Sequence, residues 1–157
     1  MKRFAVICGA LILVAIVCAI FAGWMLAHPV QARIGKPPPD LNAQPVTFAS
    51  DSKANVHGWW CPISNRRGAV LLLPGIRANR LSMIDRGRFL RRAGYSVLLI
   101  DFQGTGETKG DHITFGWKES QDVLAAMNFL RQTVPQDHVA IIGSSLGGVA
   151  ALLATRR

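Results

Sequence analysis

Gly143-Ser144-Ser145-Leu146-Gly147 is the stretch of this chain whose residue types and spacing could do covalent chemistry. A serine with glycine two positions away on either side fits a sharp turn from strand into helix, where any side chain at those offsets would collide with the turn. Ser145 meets that condition, whereas Ser144 is flanked at the same offsets by Ile142 and Leu146. The chemistry served by such a turn is acyl transfer. The serine oxygen attacks a carbonyl carbon, and the first free N–H groups of the following helix hold the oxyanion that forms. Leu146 N–H is one expected donor. The second is expected from Pro74-Gly75-Ile76, where Gly75 lets the backbone approach closely and Ile76 offers its N–H. Two plainer readings compete: a Gly/Ser turn that only packs a helix on a sheet, and a phosphate-binding loop. The second is weaker because no Lys-Ser or Lys-Thr follows the glycines.

The turn needs a strand before it and a helix after it. Val139 to Ile142 is a short apolar run, and Leu146, Val149, Ala150 and Leu153 make one face of a last helix. Upstream, "GAVLLLPG" from Gly68 to Gly75 and "YSVLLIDF" are continuous apolar runs of the kind that form strands buried on both faces. "PVTFAS" and "NVHGWWCPI", separated by Asp51 to Ala54, predict two antiparallel strands. Helices are expected from about Asn79 to Ala93 and from Trp117 to Gln132; in the latter, Trp117, Val123, Leu124, Met127 and Leu130 fall near one face. Strands alternating with helices imply an α/β fold with a mostly parallel sheet of about five strands and flanking helices.

"VLLLPGIRANR", "VLLIDFQGTGET", "GWKESQDVLAAMNFL" and "VAIIGSSLGGVAALLA" occur in the order and at the spacing of the first half of an α/β-hydrolase. The chain resembles most the serine aminopeptidase and dienelactone-hydrolase-like branch, from about Pro45 to its last residue. The resemblance implies an oxyanion loop after the first buried run and a D-x-x-G-x-G turn at Asp101, Gly104 and Gly106. It also implies a nucleophile elbow at Ser145. Pro74 stands where many relatives have histidine before the glycine, a departure that bears on the shape of the oxyanion loop.

A serine hydroxyl needs a base, usually histidine oriented by a carboxylate. The family's chain order is serine, acid, histidine. Leu146 to Arg157 contain no Asp, Glu or His, so the domain is expected to be truncated after the nucleophile helix. Of the upstream histidines, His28 ends the apolar N-terminal segment, His57 lies in a strand, and His138 opens the last strand opposite the elbow. Only His112 lies in a loop on the right side of the sheet, and a solvated loop residue is its plainer role. Asp101 and Glu107 are expected to be structural. Stopping here also leaves "VAII" as an apolar edge, a surface that recruits other chains.

Phe4 to Ala27 is uncharged and long enough for a helix across a bilayer's hydrocarbon. A cleaved signal peptide would have a shorter apolar region, and Met25-Leu26-Ala27 fits a small-x-small cleavage site poorly. The expectation is a single-pass anchor over residues 1–27. Lys2, Arg3 and the amino terminus precede it and Arg33 and Lys36 follow, placing the N-terminus in the cytoplasm and the domain outside. Residues 28–44, with Pro37-Pro38-Pro39, read as a stiff spacer holding the domain of residues 45–157 away from the membrane. Cys61 is the lone cysteine after the apolar segment, so no intramolecular disulfide or zinc-ligand spacing is available there.

The net charge of +9 owes much to the segment from Arg66 to Arg92, where eight arginines accompany one acid, Asp85. A solvated helix face is the plain reading, contact with anionic lipid headgroups the functional one; no nucleic-acid motif accompanies the charge. The combined expectation is a membrane-anchored serine hydrolase acting on an ester, thioester or amide without cofactor or metal. Its alternative is a membrane-tethered α/β module, or gene fragment, without activity.

Overall fold

The structure, a computed structural model, describes residues 2–156. Helix α1 covers Lys2–Ala27, and its large apolar side chains from Ile7 to Leu26 are exposed. Its span Ile7–Ala27 is long and apolar enough to cross a membrane, a property a signal sequence shares.

Five strands form the main sheet: β2 (Gln44–Ala49), β3 (Asn55–Cys61), β4 (Ala69–Leu73), β5 (Ser96–Ile100) and β7 (Val139–Gly143). Their spatial order is β2-β3-β5-β4-β7. β5, β4 and β7 run parallel, while β3 joins β5 antiparallel and β2 joins β3 as a hairpin. The parallel strands are joined through helices: α2 (Ile84–Arg92) between β4 and β5, α3 (Glu119–Thr133) between β5 and β7. α4 (Leu146–Ala154) follows β7.

Strand alternation sends β4 side chains to two cores. Ala69, Leu71 and Leu73 pack with Val123, Ala126 and Leu130 of α3 and with Ala150 and Ala154 of α4. Val70 and Leu72 join Trp59, Val97 and Leu99 under α2, closed by Met83 and Leu41. Both cores being apolar explains why β4 and β5 read as unbroken hydrophobic runs. The expected helix from Asn79 is in two pieces. Asn79 Oδ1 accepts from Leu81 N and caps a 3-10 turn, Arg80–Met83, which leads into α2.

Residues 28–44 are not the expected spacer. Val30–Gln31 forms a short strand, β1, parallel to Thr105–Gly106, β6. Ile34 N–H and Gly35 N–H both donate to Glu107 Oε1, and Leu41 is fully buried against the α2 face. Apolar burial and backbone pairing fasten this segment to the domain despite its prolines.

The loops at the carboxyl ends of the parallel strands are held by buried charge. Asp101, just after β5, accepts hydrogen bonds from Arg80 N–H (2.7 Å), Arg80 Nη1 (2.7 Å) and Glu107 N–H (2.9 Å). Arg80 also pairs with Glu107 and lies over the Trp59 ring, 4.8 Å from its centroid. Asp122 of α3 accepts from Ser52 Oγ (2.6 Å) and Gln103 N–H (2.8 Å), and burial pushes its carboxyl up to about 6.

Removing one charge of a buried pair strands the other. Asp101→Asn is therefore expected to cost about 3–5 kcal/mol, read from urea unfolding of the detergent-solubilised chain. Asp122 titrates above its ordinary value of 3.8, so its contribution is fully present below that pH and is lost as pH rises through about 6. The melting temperature should fall between about pH 4 and pH 6 in the native chain, and fall less in Asp122→Asn. Parallel pH profiles for the two proteins would refute this assignment.

Candidate active site

The elbow has the geometry its glycines imply. Ser145 stands between β7 and α4 with φ 48° and ψ −112°, a conformation costly for a residue with a side chain. A Cβ on Gly143 would lie 2.3 Å from the Gly147 carbonyl carbon and 2.4 Å from Gly148 N. One on Gly147 would meet Leu73 O at 2.7 Å and Pro74 O at 2.8 Å. Ser144 is fixed by its N–H, which donates to Leu73 O at 3.0 Å, and the Ser145 carbonyl accepts from Gly148 and Val149. The helix start is thereby pressed onto the end of β4, which brings the loop after β4 beside the serine.

Gly75 lies in that loop. A Cβ there would sit 3.8 Å from the Ser145 Cβ and 3.6 Å from Ser144 O, ordinary contacts that leave room for a methyl group. The expectation that Gly75 is needed for close backbone approach is therefore corrected: its lack of a side chain keeps the space beside Ser145 open. Among the described residues, neither Ile76 N–H nor Leu146 N–H donates to a backbone or side-chain acceptor. Both remain available on the loop and helix start that border the serine, as an oxyanion site requires. Ser145 itself is exposed.

The site's other half is not assembled by these residues. Among the described residues, no side chain forms a hydrogen bond with the Ser145 hydroxyl. His112 is exposed; its carbonyl oxygen accepts from Gln103 Nε2 at 2.7 Å. His57 Nδ1 is 3.3 Å from Thr47 Oγ1 on the neighbouring strand, and His28 packs against Trp24. His138 stands at the amino end of β7, opposite the elbow. Asp101 and Glu107 are engaged with Arg80, in keeping with the structural role expected of them. Among the described residues, no three His, Cys, Asp or Glu come together as a metal-ligating group.

One residue at this site was missed in sequence. Arg77, next to Ile76, has φ 56°, and its Nη1 donates to the carbonyl oxygens of Met25 and His28 at the end of α1. The eight arginines from Arg66 to Arg92 are in large part committed within the fold: Arg80 is buried, Arg66 pairs with Asp137, and Arg88 pairs with Asp40 and Asp85.

Residues 64–157 match the family described as serine aminopeptidase, S33. The uncharacterised protein YfhR of Salmonella typhimurium is 24% identical over 124 residues, covering 74% of this chain and 42% of YfhR. The structure of the Pyrococcus furiosus esterase Pf2001 superposes with a TM-score of 0.72 at 27% identity, covering 80% of this chain and 51% of the esterase. A Xanthomonas campestris α/β serine hydrolase without a lid shares the fold at a TM-score of 0.63 and 17% identity, covering 73% of this chain and 56% of that protein. The chain thus spans about half the length of the relatives it matches.

Steric demand separates the two kinds of glycine. Gly143→Ala should cost more than about 3 kcal/mol or prevent folding, since the clashing atoms are backbone and cannot step aside. Gly75→Ala should change stability by less than about 1 kcal/mol. Thermal unfolding of both variants checks the contrast.

Proposed function

The chain belongs to the serine aminopeptidase (S33) family of α/β-hydrolases, and from that premise we propose that it carries the nucleophile of a membrane-anchored serine hydrolase. The observation that supports this most is the backbone of Ser145: a non-glycine residue at φ 48° between strand and helix, kept there by two glycines in backbone contact. Strain of this kind persists only where the surroundings enforce it, and here it lifts the hydroxyl out of the fold beside two free N–H groups.

In the proposed reaction, Ser145 Oγ attacks the carbonyl carbon of an ester, thioester or amide as a base removes its proton. The carbonyl π electrons move to oxygen, and Leu146 N–H and Ile76 N–H receive that charge. Collapse of the tetrahedral intermediate expels the alcohol, thiol or amine with the proton held by the base. Water then cleaves the acyl-enzyme by the same steps. A histidine and its carboxylate must come from outside residues 2–156, in a further part of the sheet or in a partner chain.

Apolar helix α1 is the proposed anchor, with its amino end in the cytoplasm and the domain outside. The competing reading, an inert tethered module, draws on the absence of a hydrogen-bonded partner at the Ser145 hydroxyl. A serine-directed fluorophosphonate separates the two when applied to native membranes containing the tagged chain. Labelling that disappears in Ser145→Ala supports the hydrolase. Labelling that survives the substitution, or no labelling in either, removes Ser145 as an activated nucleophile.

A further inference from the structure

The end of α1 touches the domain at the edge where the nucleophile stands. The last carbonyls of a helix have no partners within it, and at a bilayer boundary leaving them bare is costly. Here loops of the domain supply donors. Arg77, beside the oxyanion loop after β4, donates to Met25 O and His28 O, and its cationic head suits a helix carboxyl end. Ile113 N–H, from the segment after β6, donates to Ala27 O at 2.8 Å. Val30 N–H and Ala32 N–H then donate to Gly104 O and Gly106 O at 2.7 and 2.8 Å, so the chain leaving α1 is fastened at once to the loop after β5.

All these loops leave the carboxyl ends of parallel strands, as does the Ser145 turn after β7. Arg77 is two residues from Gly75, a stretch of backbone that reaches at most about 7 Å. Before its last turn, the described side chains of α1 from Gly9 onward are exposed rather than packed on the domain. The residues near this junction suit a bilayer interface. Trp24 lies in the last turn of α1 with its ring 4.9 Å from that of His28 in a tilted arrangement, while Phe115 and Trp117, just past Ile113, are 51% and 63% exposed. Aromatic rings of this kind favour the headgroup level.

Resting on the hydrolase and anchor readings above, we infer that the mouth of the site is held against the bilayer surface, and that its substrate is a membrane-lodged amphiphile whose scissile acyl bond lies at headgroup level. Arg77 is a positioning residue in this arrangement, coupling the anchor to the loop that presents Ile76 N–H. The last turn of α2, with Arg91 and Arg92, leads into the amino end of β5, so this arrangement puts it at the edge of the sheet away from the lipid.

Position can be measured without turnover. In the full-length chain with Cys8, Cys18 and Cys61 replaced by alanine, a nitroxide is placed by Ser145→Cys or by His138→Cys, at opposite ends of β7. The chain is reconstituted in phosphatidylcholine vesicles carrying a nickel-chelating headgroup. These labels are separated by on the order of 15–20 Å along the strand. Relaxation enhancement several-fold greater at 145 than at 138 is expected; equal or reversed enhancement overturns the inference. Intact mass on the same sample identifies loss of the α1 segment, in which case the anchor reading has failed and the inference with it.

The substrate class is tested by fluorophosphonate labelling of Ser145 in native membranes. A dodecyl-chain probe should label at least about tenfold faster than a short polar one, since several buried methylenes suffice for that ratio. Equal rates overturn the substrate assignment while leaving the hydrolase reading standing. No Ser145-dependent labelling by either probe removes the hydrolase reading and the substrate assignment together, with the nitroxide result unaffected.

Discussion

Arg80 is the interaction on which the carboxyl edge of the sheet depends. Its side chain is 2% exposed, its guanidinium lies on the Trp59 ring, and it pairs with Asp101, which is wholly buried, and with Glu107. The charge alone does not explain the arrangement, since burying an ion pair gives little net stability. The backbone does. Loops drawn over a sheet edge bring N–H groups out of water, and each buried one needs an acceptor. Asp101 serves Arg80 and Glu107 N–H, Asp122 serves Gln103, and Glu119 serves Thr114 and Gly116. These three carboxylates hold the loops, and Arg80 offsets part of their charge.

Fixed loops make a strained turn possible. Left-handed backbone at Ser145 would relax if the helix start could rise away from β4, but Gly147 is seated against Leu73 and Pro74 and Gly143 against the first turn of α4. Stiffness on one side is matched by openness on the other. Gly75 adds nothing over the serine, and among the described residues the Ile76 and Leu146 N–H groups have no acceptor. Close packing below Ser145 and unpaired donors on the elements that border it are opposite conditions at one turn. Only a turn that changes direction this sharply supplies both.

What could be read from the sequence follows the range of the forces involved. β4 and β5 are legible because burial on both faces demands unbroken apolar runs, β7 because it keeps such a run although it stands half-exposed at the sheet edge, and α3 because its periodicity survives at Val123, Met127 and Leu130. The elbow is legible because its constraint is local: glycines two residues from a serine. Interactions across long separations left no such mark. Arg77 meets Met25 from 52 residues away, and Glu107 reaches Ile34 across 73. A two-residue strand such as β1 has no period to detect. The prolines of residues 28–44 describe a stiff chain truthfully, yet Ile34 and Leu41, apolar residues amid them, carry the signal that the segment is packed down.

Those long-range bonds alter the meaning of the N-terminal helix. A tether followed by a flexible spacer would leave the domain free to turn, and any apolar helix could replace it. Here the last turn of α1 and the residues after it are bonded to the loops after β4 and β5, of which the first borders Ser145 and the second packs on α4, and which are joined through Asp101 and Glu107. Rotation of the domain about the helix end would break the Arg77 contacts and the β1–β6 pairing together. The end of the helix and the Ser145 turn therefore meet the same edge of the sheet, so the helix end is part of the structure around the serine and not a detachable tether.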